Sequence, residues 1–251
     1  MKRTALVTGA SRGIGAACAQ ALAEAGFAVA VHYARDAAAA ERVRAALPGA
    51  GHCTLSADLA SGRVAACQAL IAAAVARLGG LTVLVNNAGL YDEHPPITTT
   101  AADWETVWRR TLALNLESPA HLCFHAAQAM AAAGGGRIVN VSSRGAFRGE
   151  PSAPAYGASK AGLNSLSQSL AQALAPQGVL VFAVAPGFVS TDMAAALLAG
   201  PQGDAIRAQS PLGRVTSPQE VAACVRFCAS EAPAAMTGAI LDVNGASYLR
   251  S

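Results

Sequence analysis

One turn constrains this chain more than any other stretch. The apolar run Thr4–Thr8 enters TGASRGIG, Thr8 to Gly15, and an Ala-rich helical pattern follows at once. Gly9, Gly13 and Gly15 are spaced G-x-x-x-G-x-G. Glycine is required where φ is positive or where another group must approach the backbone closely. A strand that passes through such a turn into a helix aims the helix's free N–H groups and its partial positive charge at one point, a ready seat for an anion. A Gly-rich turn without a ligand is the plainer alternative. The position of this one, after the first strand and opening the first helix, is what dinucleotide binding requires.

The rest of the chain continues the alternation. Strands are expected at Thr4–Thr8, Ala28–Tyr33, His52–Ala57, Leu81–Val85, Arg137–Val141, Val179–Val184 and Ile240–Val243. Helical patterns lie between them, at about 14–25, 36–46, 61–78, 103–133, 155–174 and 217–230. This order predicts a doubly wound α/β architecture, a parallel sheet covered by helices on both faces. Continuous apolar runs such as TVLV and RIVNV fit strands buried on both sides. Ser217-Pro218-Gln219-Glu220 has capping-box spacing with Pro at the first helical position. No linker or repeat divides the chain, so a single domain over 1–251 is expected. The irregular stretch at about 190–215, with Gly200-Pro201, Gly203 and Pro211-Leu212-Gly213, reads as a flexible substrate lid.

Composition excludes several classes. A net charge of +3 with scattered basic residues gives no case for nucleic acid or an acidic membrane surface. No apolar run reaches the roughly 18 residues of a membrane helix. The N-terminal stretch imitates a secretion signal, but Arg12 and three glycines interrupt it, so that reading is rejected. Six cysteines without a CxxC pair point to reduced thiols and a cytoplasmic protein. Cys224 and Cys228, four apart, read as packing. His121 and His125 are also four apart but lack the Glu of a metalloprotease motif, and no metal is expected. Trp104 and Trp108 share a helix face and read as anchors of packing.

The second strand ends VHYARD. An Asp or Glu commonly holds a ribose 2′-OH at such a strand end, and here His32, Tyr33 and Ala34 stand there instead. Arg12 and Arg35 are placed to flank a 2′-phosphate, which favours NADP(H). Asp36 keeps NAD(H) as the alternative. Asp58-Leu59 ends the third strand, where an acid can accept from adenine or simply shape a turn. Asn86-Asn87-Ala88-Gly89 ends the fourth at the sheet's carboxyl edge. Asn and Gly there also serve as ordinary turn residues.

The fifth strand ends at Ser142-Ser143. Tyr156 follows thirteen residues later, and Lys160 four beyond that. Of 18 Lys plus Arg, only Lys2 and Lys160 are lysines, so Lys160 is the single interior one. Residues i and i+4 share a helix face. A cation beside a phenol favours the phenolate, so the Tyr pKa should fall from near 10 towards neutrality. Such a group passes protons to and from a substrate oxygen.

Together Thr8-Gly9-x-x-x-Gly13-Ile14-Gly15, Asn86-Asn87-Ala88-Gly89, Ser143, Tyr156-x-x-x-Lys160 and Pro186-Gly187 resemble the short-chain dehydrogenase/reductase family, in order and spacing, over nearly the whole chain. The resemblance implies a single Rossmann domain with a seven-stranded parallel sheet. It implies Tyr156 as general acid/base, Ser143 polarising the substrate oxygen, Lys160 on the nicotinamide ribose, and Asn115 fixing a water in a proton relay. The cofactor-binding set would be Gly9, Ser11, Arg12, Gly13, Ile14, Gly15, Arg35, Asp58, Leu59, Asn87, Ala88 and Gly89 with Tyr156 and Lys160. Pro186, Gly187, Val189 and Thr191 would seat the nicotinamide carboxamide. The implied reaction interconverts a ketone and a secondary alcohol, with NADP(H) preferred. The alternatives are a 3-oxoacyl-carrier-protein reductase and a non-catalytic nucleotide-sensing regulator, which should have lost Tyr or Lys. Relatives acting on a carrier protein commonly carry basic residues where this chain has AMAAAGGGR and LAPQG, leaving only Arg137, with Arg144, Arg148 or Arg207 as substitutes. The family's usual C-terminal Gly-Gly reads Asn244-Gly245, which bears on a subunit contact. Small residues on the helices at 116–133 and 155–174 point to a homodimer or homotetramer. The small-molecule carbonyl or alcohol itself has no recognisable code in the loops at 90–97, 144–153 and 193–210.

Overall fold

A computed structural model describes residues 2–250, apart from the side chains of residues 192, 193, 196 and 197. Its order is β1 Thr4–Val7, α1 Gly13–Glu24, β2 Ala28–Tyr33, α2 Ala37–Ala46, β3 Cys53–Ser56, α3 Val64–Leu78 and β4 Val83–Asn86. There follow α4 Ala101–Leu112, a π-helical turn Ala113–Glu117, α5 Ser118–Ala132, β5 Gly136–Val141 and a short α6 Gly145–Arg148. The chain finishes with α7 Pro154–Leu174, β6 Val179–Pro186, α8 Asp192–Ala199, α9 Gly203–Ala208, α10 Pro218–Ser230 and β7 Ile240–Val243. All seven strands form one parallel sheet in the order β3-β2-β1-β4-β5-β6-β7.

The sheet is buried from both sides, and the period of two along each strand decides which side. Val7, Val29, Val31, Val83, Val85, Val139, Val141, Phe182 and Val184 pack towards Cys18, Leu22, Val221 and Val225 of α1 and α10. Leu6, Ala28, Ala30, Leu84, Ile138 and Val181 pack towards α3, α5 and α7. Small side chains such as Ala19, Ala222 and Ala229 let α1 and α10 lie close. The capping box at Ser217 is present, with the Ser217 side chain accepting from Glu220 N–H and Glu220 reaching back. A polar thread runs through this apolar interior. Asn86 Nδ2 donates to Asn140 Oδ1 at 2.8 Å, and Asn140 Nδ2 to Ser167 Oγ at 2.8 Å, tying β4 and β5 to α7.

Two expectations need correction. The helix expected over 103–133 is two helices separated by the π-helical turn, which holds Asn115. The stretch at 190–215 is less irregular than its Gly and Pro suggested, since it contains α8 and α9. Its side chains at 192, 193, 196 and 197 lie outside the described residues.

In a parallel sheet of this kind the helices end at the strands' amino edge. Three cations close those ends. Lys2 Nζ donates to Leu78 O of α3 at 3.0 Å, Arg3 Nη1 to Ala25 O behind α1 at 2.9 Å, and Arg137 Nη1 to Cys228 O and Ala232 O at the end of α10 at 2.8 and 2.9 Å. Cations are favourable at helix C-termini. Arg137 is therefore committed at the edge opposite the carboxyl ends of the strands. No helix among the described residues is long and apolar enough to cross a membrane. The six cysteines are all free, five of them buried.

Candidate active site

The strand order reverses between β1 and β4, where β2 and β3 continue to one side and β5 to β7 to the other. Ligands of open α/β sheets bind at this switch point, outside the strands' carboxyl ends. Here the glycine turn after β1 meets the Asn-Asn-Ala-Gly turn after β4. Gly9 has φ +61°, and a Cβ on it would lie 2.9 Å from Ala88 Cα. A Cβ on Gly15 would lie 2.3 Å from Gly9 O and 2.6 Å from Asn87 Nδ2. The Thr8 hydroxyl accepts from Asn87 N–H and Ala88 N–H, both at 3.0 Å, and Asn87 Nδ2 donates to Thr8 O at 2.9 Å and Gly9 O at 3.2 Å. Thr8 thus fastens the two turns together, a role that its place in the motif does not announce.

This cradle fits a dinucleotide. The helix α1 starts at Gly13 with no side-chain cap, so its first-turn N–H groups stay open to an anion. Ser11 and Ile14 lie half-buried on the same turn. Arg12 and Arg35 are exposed, and among the described residues neither side chain makes a hydrogen bond or an ion pair. Asp36 is occupied, since its carboxylate accepts from Ala39 N–H at 2.8 Å and caps α2. Asp58 is exposed, with Oδ1 accepting from Ala60 N–H at 3.0 Å, while Leu59 is buried and its carbonyl accepts from the Ser118 hydroxyl at 2.7 Å. The Pro186–Thr191 segment crosses to the glycine turn, where a Cβ on Gly13 would stand 3.4 Å from Thr191 Cγ2. Val189 is buried and bridges to Thr216, and Gly187 packs against Asn244. Asn244 itself is 6 % exposed and donates to Tyr248 O at 3.0 Å, so it sits inside the chain's own C-terminal turn.

His32 is a second residue whose part is not evident from sequence. Its Nδ1 accepts from Gly9 N–H at 3.0 Å, and its Nε2 faces Ala57 O at 3.1 Å, which requires the Nε2–H tautomer. The ring is a strut between the glycine turn, β2 and β3. Burial pushes its pKa down to about 4, against about 6.5 when exposed. Between those values the unfolded chain binds a proton that the folded chain does not, so stability falls as pH drops from 6.5 towards 4 and levels off below. A shift of this size corresponds to about 3 kcal/mol. Urea unfolding at pH 6.5 and 4.5 should show the loss, and His32→Gln should remove most of the difference.

At the chemical end, α7 carries Tyr156 and Lys160 beneath Ser143. Lys160 is 4 % exposed and its Nζ donates to Val141 O at 2.8 Å. Gly89 lies over it: a Cβ there would be 3.2 Å from Asn115 Oδ1 and 3.6 Å from Lys160 Nζ. Asn115 closes onto Leu90 in both directions, accepting from its N–H at 2.9 Å and donating to its carbonyl at 3.0 Å, with a further bond to Ser159 Oγ at 3.2 Å. The Asn115 side chain therefore fixes the turn after β4. Ser143 Oγ accepts from Gly145 N–H at 3.0 Å. His94, buried, accepts from Ala155 N–H through Nε2 at 3.1 Å and so caps the start of α7.

The expected fall in the Tyr156 pKa is corrected. Burial pushes the phenol up to about 12; contact with Ser143 pulls it down, and Glu150 and Tyr91 add to the rise. Lys160 is lowered to about 8, also by burial. Its ammonium stands 5.8 Å from the Tyr156 ring centroid and is aimed at Val141 O, so desolvation outweighs its pull on the phenol. Tyr91 stands edge-on to Tyr156, ring centroids 5.0 Å apart.

Comparison with known proteins identifies the family of the chain. A family model described as enoyl-(acyl carrier protein) reductase matches residues 9–246. The chain is 40 % identical over 244 residues to cis-4-hydroxycyclohexanecarboxylate dehydrogenase of Sinomonas cyclohexanicum, covering 97 % of this chain and 96 % of that one. It is 38 % identical over 245 residues to a 3-oxoacyl-[acyl-carrier-protein] reductase of Synechocystis, covering 97 % and 96 %. A solved dehydrogenase/reductase from Sinorhizobium meliloti 1021 superposes with a TM-score of 0.86 at 34 % identity, over 98 % of this chain and 95 % of that one. The chain belongs to the short-chain dehydrogenase/reductase family of nicotinamide-dependent oxidoreductases.

Proposed function

We propose that the protein is an NADP(H)-dependent oxidoreductase that interconverts a ketone and a secondary alcohol, with Tyr156 as general acid/base. One observation carries this reading: Ser143, Tyr156, Lys160 and Asn115 gather at the same switch-point cleft as the uncapped α1 terminus. When bound, the nicotinamide exchanges a hydride with the substrate carbon. Ser143, held by Gly145 N–H, donates its own proton towards the substrate oxygen. Tyr156, with a pKa near 12, is a neutral phenol at physiological pH and so stands ready as the acid in ketone reduction. Lys160 supplies a donor and a positive charge near the phenol and the ribose. Asn115 holds Leu90, and through it the turn that ends at Gly89. The Pro186, Gly187, Val189 and Thr191 segment would seat the carboxamide, and residues 190–215 would close over the substrate as a lid.

Cofactor choice follows from charge. Arg12 and Arg35 have no partner among the described residues, and Asp36 is engaged at its helix cap. This supports NADP(H) over NAD(H). Arg35→Ala, and more so the double change with Arg12, should raise the Kd for NADPH about 10- to 150-fold, as for loss of a charge-assisted bond, with little change for NADH. Fluorescence titration with both cofactors measures this, and a wild type that prefers NADH overturns the assignment.

A carrier-delivered 3-oxoacyl substrate is the second reading, supported by the carrier-protein reductases among the relatives. Arg137 counts against it, since that side chain is held at the opposite edge of the sheet. Arg207 is likewise engaged, by Asp204 and Leu198 O. Assembly as a dimer or tetramer through α5 and α7 belongs to the same proposal. Phe124 of α5 is 56 % exposed and the outer face of α7 presents Ala158, Ala161 and Ser169 to solvent. Light scattering should give a multiple of 25.1 kDa, and a monomer mass for the active protein rejects it.

A further inference from the structure

Arg144 directly follows Ser143 and is 4 % exposed. Its guanidinium lies over the Phe188 ring, 5.0 Å from the centroid. Nη1 donates to Ser247 Oγ at 2.6 Å and Nη2 to Gln209 Oε1 at 2.5 Å. Arg148 Nη1 reaches the same Gln209 oxygen at 3.5 Å. Two guanidiniums thus converge on one neutral amide oxygen, carried by the residue just after α9. Among the described residues neither arginine forms an ion pair. Glu150 is near enough to act on both electrostatically, yet makes no bond to either. Neutral acceptors satisfy N–H groups but put no carboxylate in contact with the guanidinium, Glu150 acting only at a distance, and a buried charge without a bonded counter-ion is costly. Such a cost is expected where an anion arrives from outside, and a planar guanidinium matches a carboxylate.

We propose that Arg144, assisted by Arg148, binds a carboxylate on the substrate, so that the substrate class is oxo acids and the corresponding hydroxy acids, with Gln209 yielding its place to the anion. This rests on the reading of the site as a ketone/alcohol oxidoreductase. The acid group must stand away from the reacting carbonyl, because Ser143 and Arg144 diverge: Ser143 Oγ is held at Gly145 N–H, while Arg144 points at Gln209 and Ser247.

The test compares 4-oxocyclohexanecarboxylate with its methyl ester, which keeps the shape and removes the charge. The wild type should show the higher kcat/KM for the acid. Arg144→Met should cut the acid-to-ester ratio about 10- to 150-fold, the range for a charged hydrogen bond. Arg144→Lys, which keeps the charge, should recover part of it. Arg148→Met should lower the ratio less, and it takes the place of Arg144→Met if that variant does not fold. Gln209→Ala removes only the neutral occupant and should leave the ratio equal or higher. A wild type that prefers the ester overturns the proposal. So does a Gln209→Ala ratio that falls as far as that of Arg144→Met, because Arg144 would then only hold the lid. If the wild type turns over neither compound, these two are not its substrates and the decision passes to binding. Calorimetric titration with cyclohexanecarboxylate, which has nothing to reduce, still decides the subsite: binding weakened at least tenfold by Arg144→Met supports it, and unchanged or undetectable binding rejects it.

Discussion

Tyr156→Phe is expected to lower kcat by about 10²- to 10⁴-fold while the fold and the Kd for NADPH stay as they are. The substitution removes one oxygen. It leaves the ring's edge-on contact with Tyr91, the bond from Lys160 to Val141 O and the cradle after β1. What is lost is the proton that meets the developing negative charge on the substrate oxygen. Because burial holds the phenol near 12, the acid form is present throughout the neutral range, and ketone reduction should be nearly flat with pH there. Alcohol oxidation needs the phenolate and should rise steeply with pH. Steady-state rates in both directions from pH 6 to 9 check this together with the variant. Near-full kcat in the Phe variant, with normal cofactor binding, rejects the role.

Gly15→Ala is expected to weaken cofactor binding directly. A methyl group there would stand 2.3 Å from Gly9 O, 2.6 Å from Asn87 Nδ2 and 2.9 Å from Ala10 Cα. Two of these are backbone atoms that cannot swing aside. The turn must open, which pulls Gly9 from His32 and Asn87 from Thr8 together. Overpacking of this kind costs about 1–3 kcal/mol, which is roughly 5- to 150-fold in Kd if all of it falls on the liganded geometry. Shared with folding, it lowers Tm by about 2–4 °C per kcal/mol for a chain of this size. Calorimetric titration with NADPH and a thermal melt separate the two shares. An unchanged Kd would mean that the turn does not hold the cofactor.

Much of the architecture was legible because its signals are local. Most strands are apolar runs with Gly, Asn or Ser near at least one end, and buried strands leave little else to read. The helical break at Ala113–Glu117 was legible only in part: Pro119 at the start of α5 cannot donate to the carbonyl four residues back and marks a boundary, but the π-helical turn itself has no signal. ALNLE contains no glycine or proline, and every residue in it is tolerated in an α-helix. The π-helical turn places Asn115 against Leu90, 25 residues earlier, and Ser159 of α7, partners that only the fold brings together. The Tyr156–Lys160 spacing was read correctly as one helix face. The direction of the phenol's pKa was not, because burial and the Val141 carbonyl come from the fold rather than from the helix. Arg137, the one basic residue left in the stretches where relatives acting on a carrier protein carry several, is held by partners at the end of α10 and not at the cleft. His32 and Thr8 stood in plain view in their motifs. Their importance depends on contacts with Gly9, Ala57, Asn87 and Ala88, made across strands.

The closure of helix ends by Lys2, Arg3 and Arg137 gives the molecule two electrically unlike poles. At one pole the carbonyl ends of α1, α3 and α10 are neutralised by side chains built into the chain itself. At the other, the amide end of α1 is left without a side-chain cap at the exposed Arg12, Arg35 is exposed after β2, and no carboxylate is bonded to either arginine among the described residues. If the cofactor is held at Arg12 and Arg35 as proposed, these two charges would draw a multiply charged anion towards them before any contact forms. Such guidance acts on arrival rather than on residence. It fades as added salt shortens the reach of the field, from about 30 Å at 0.01 M to about 8 Å at physiological ionic strength.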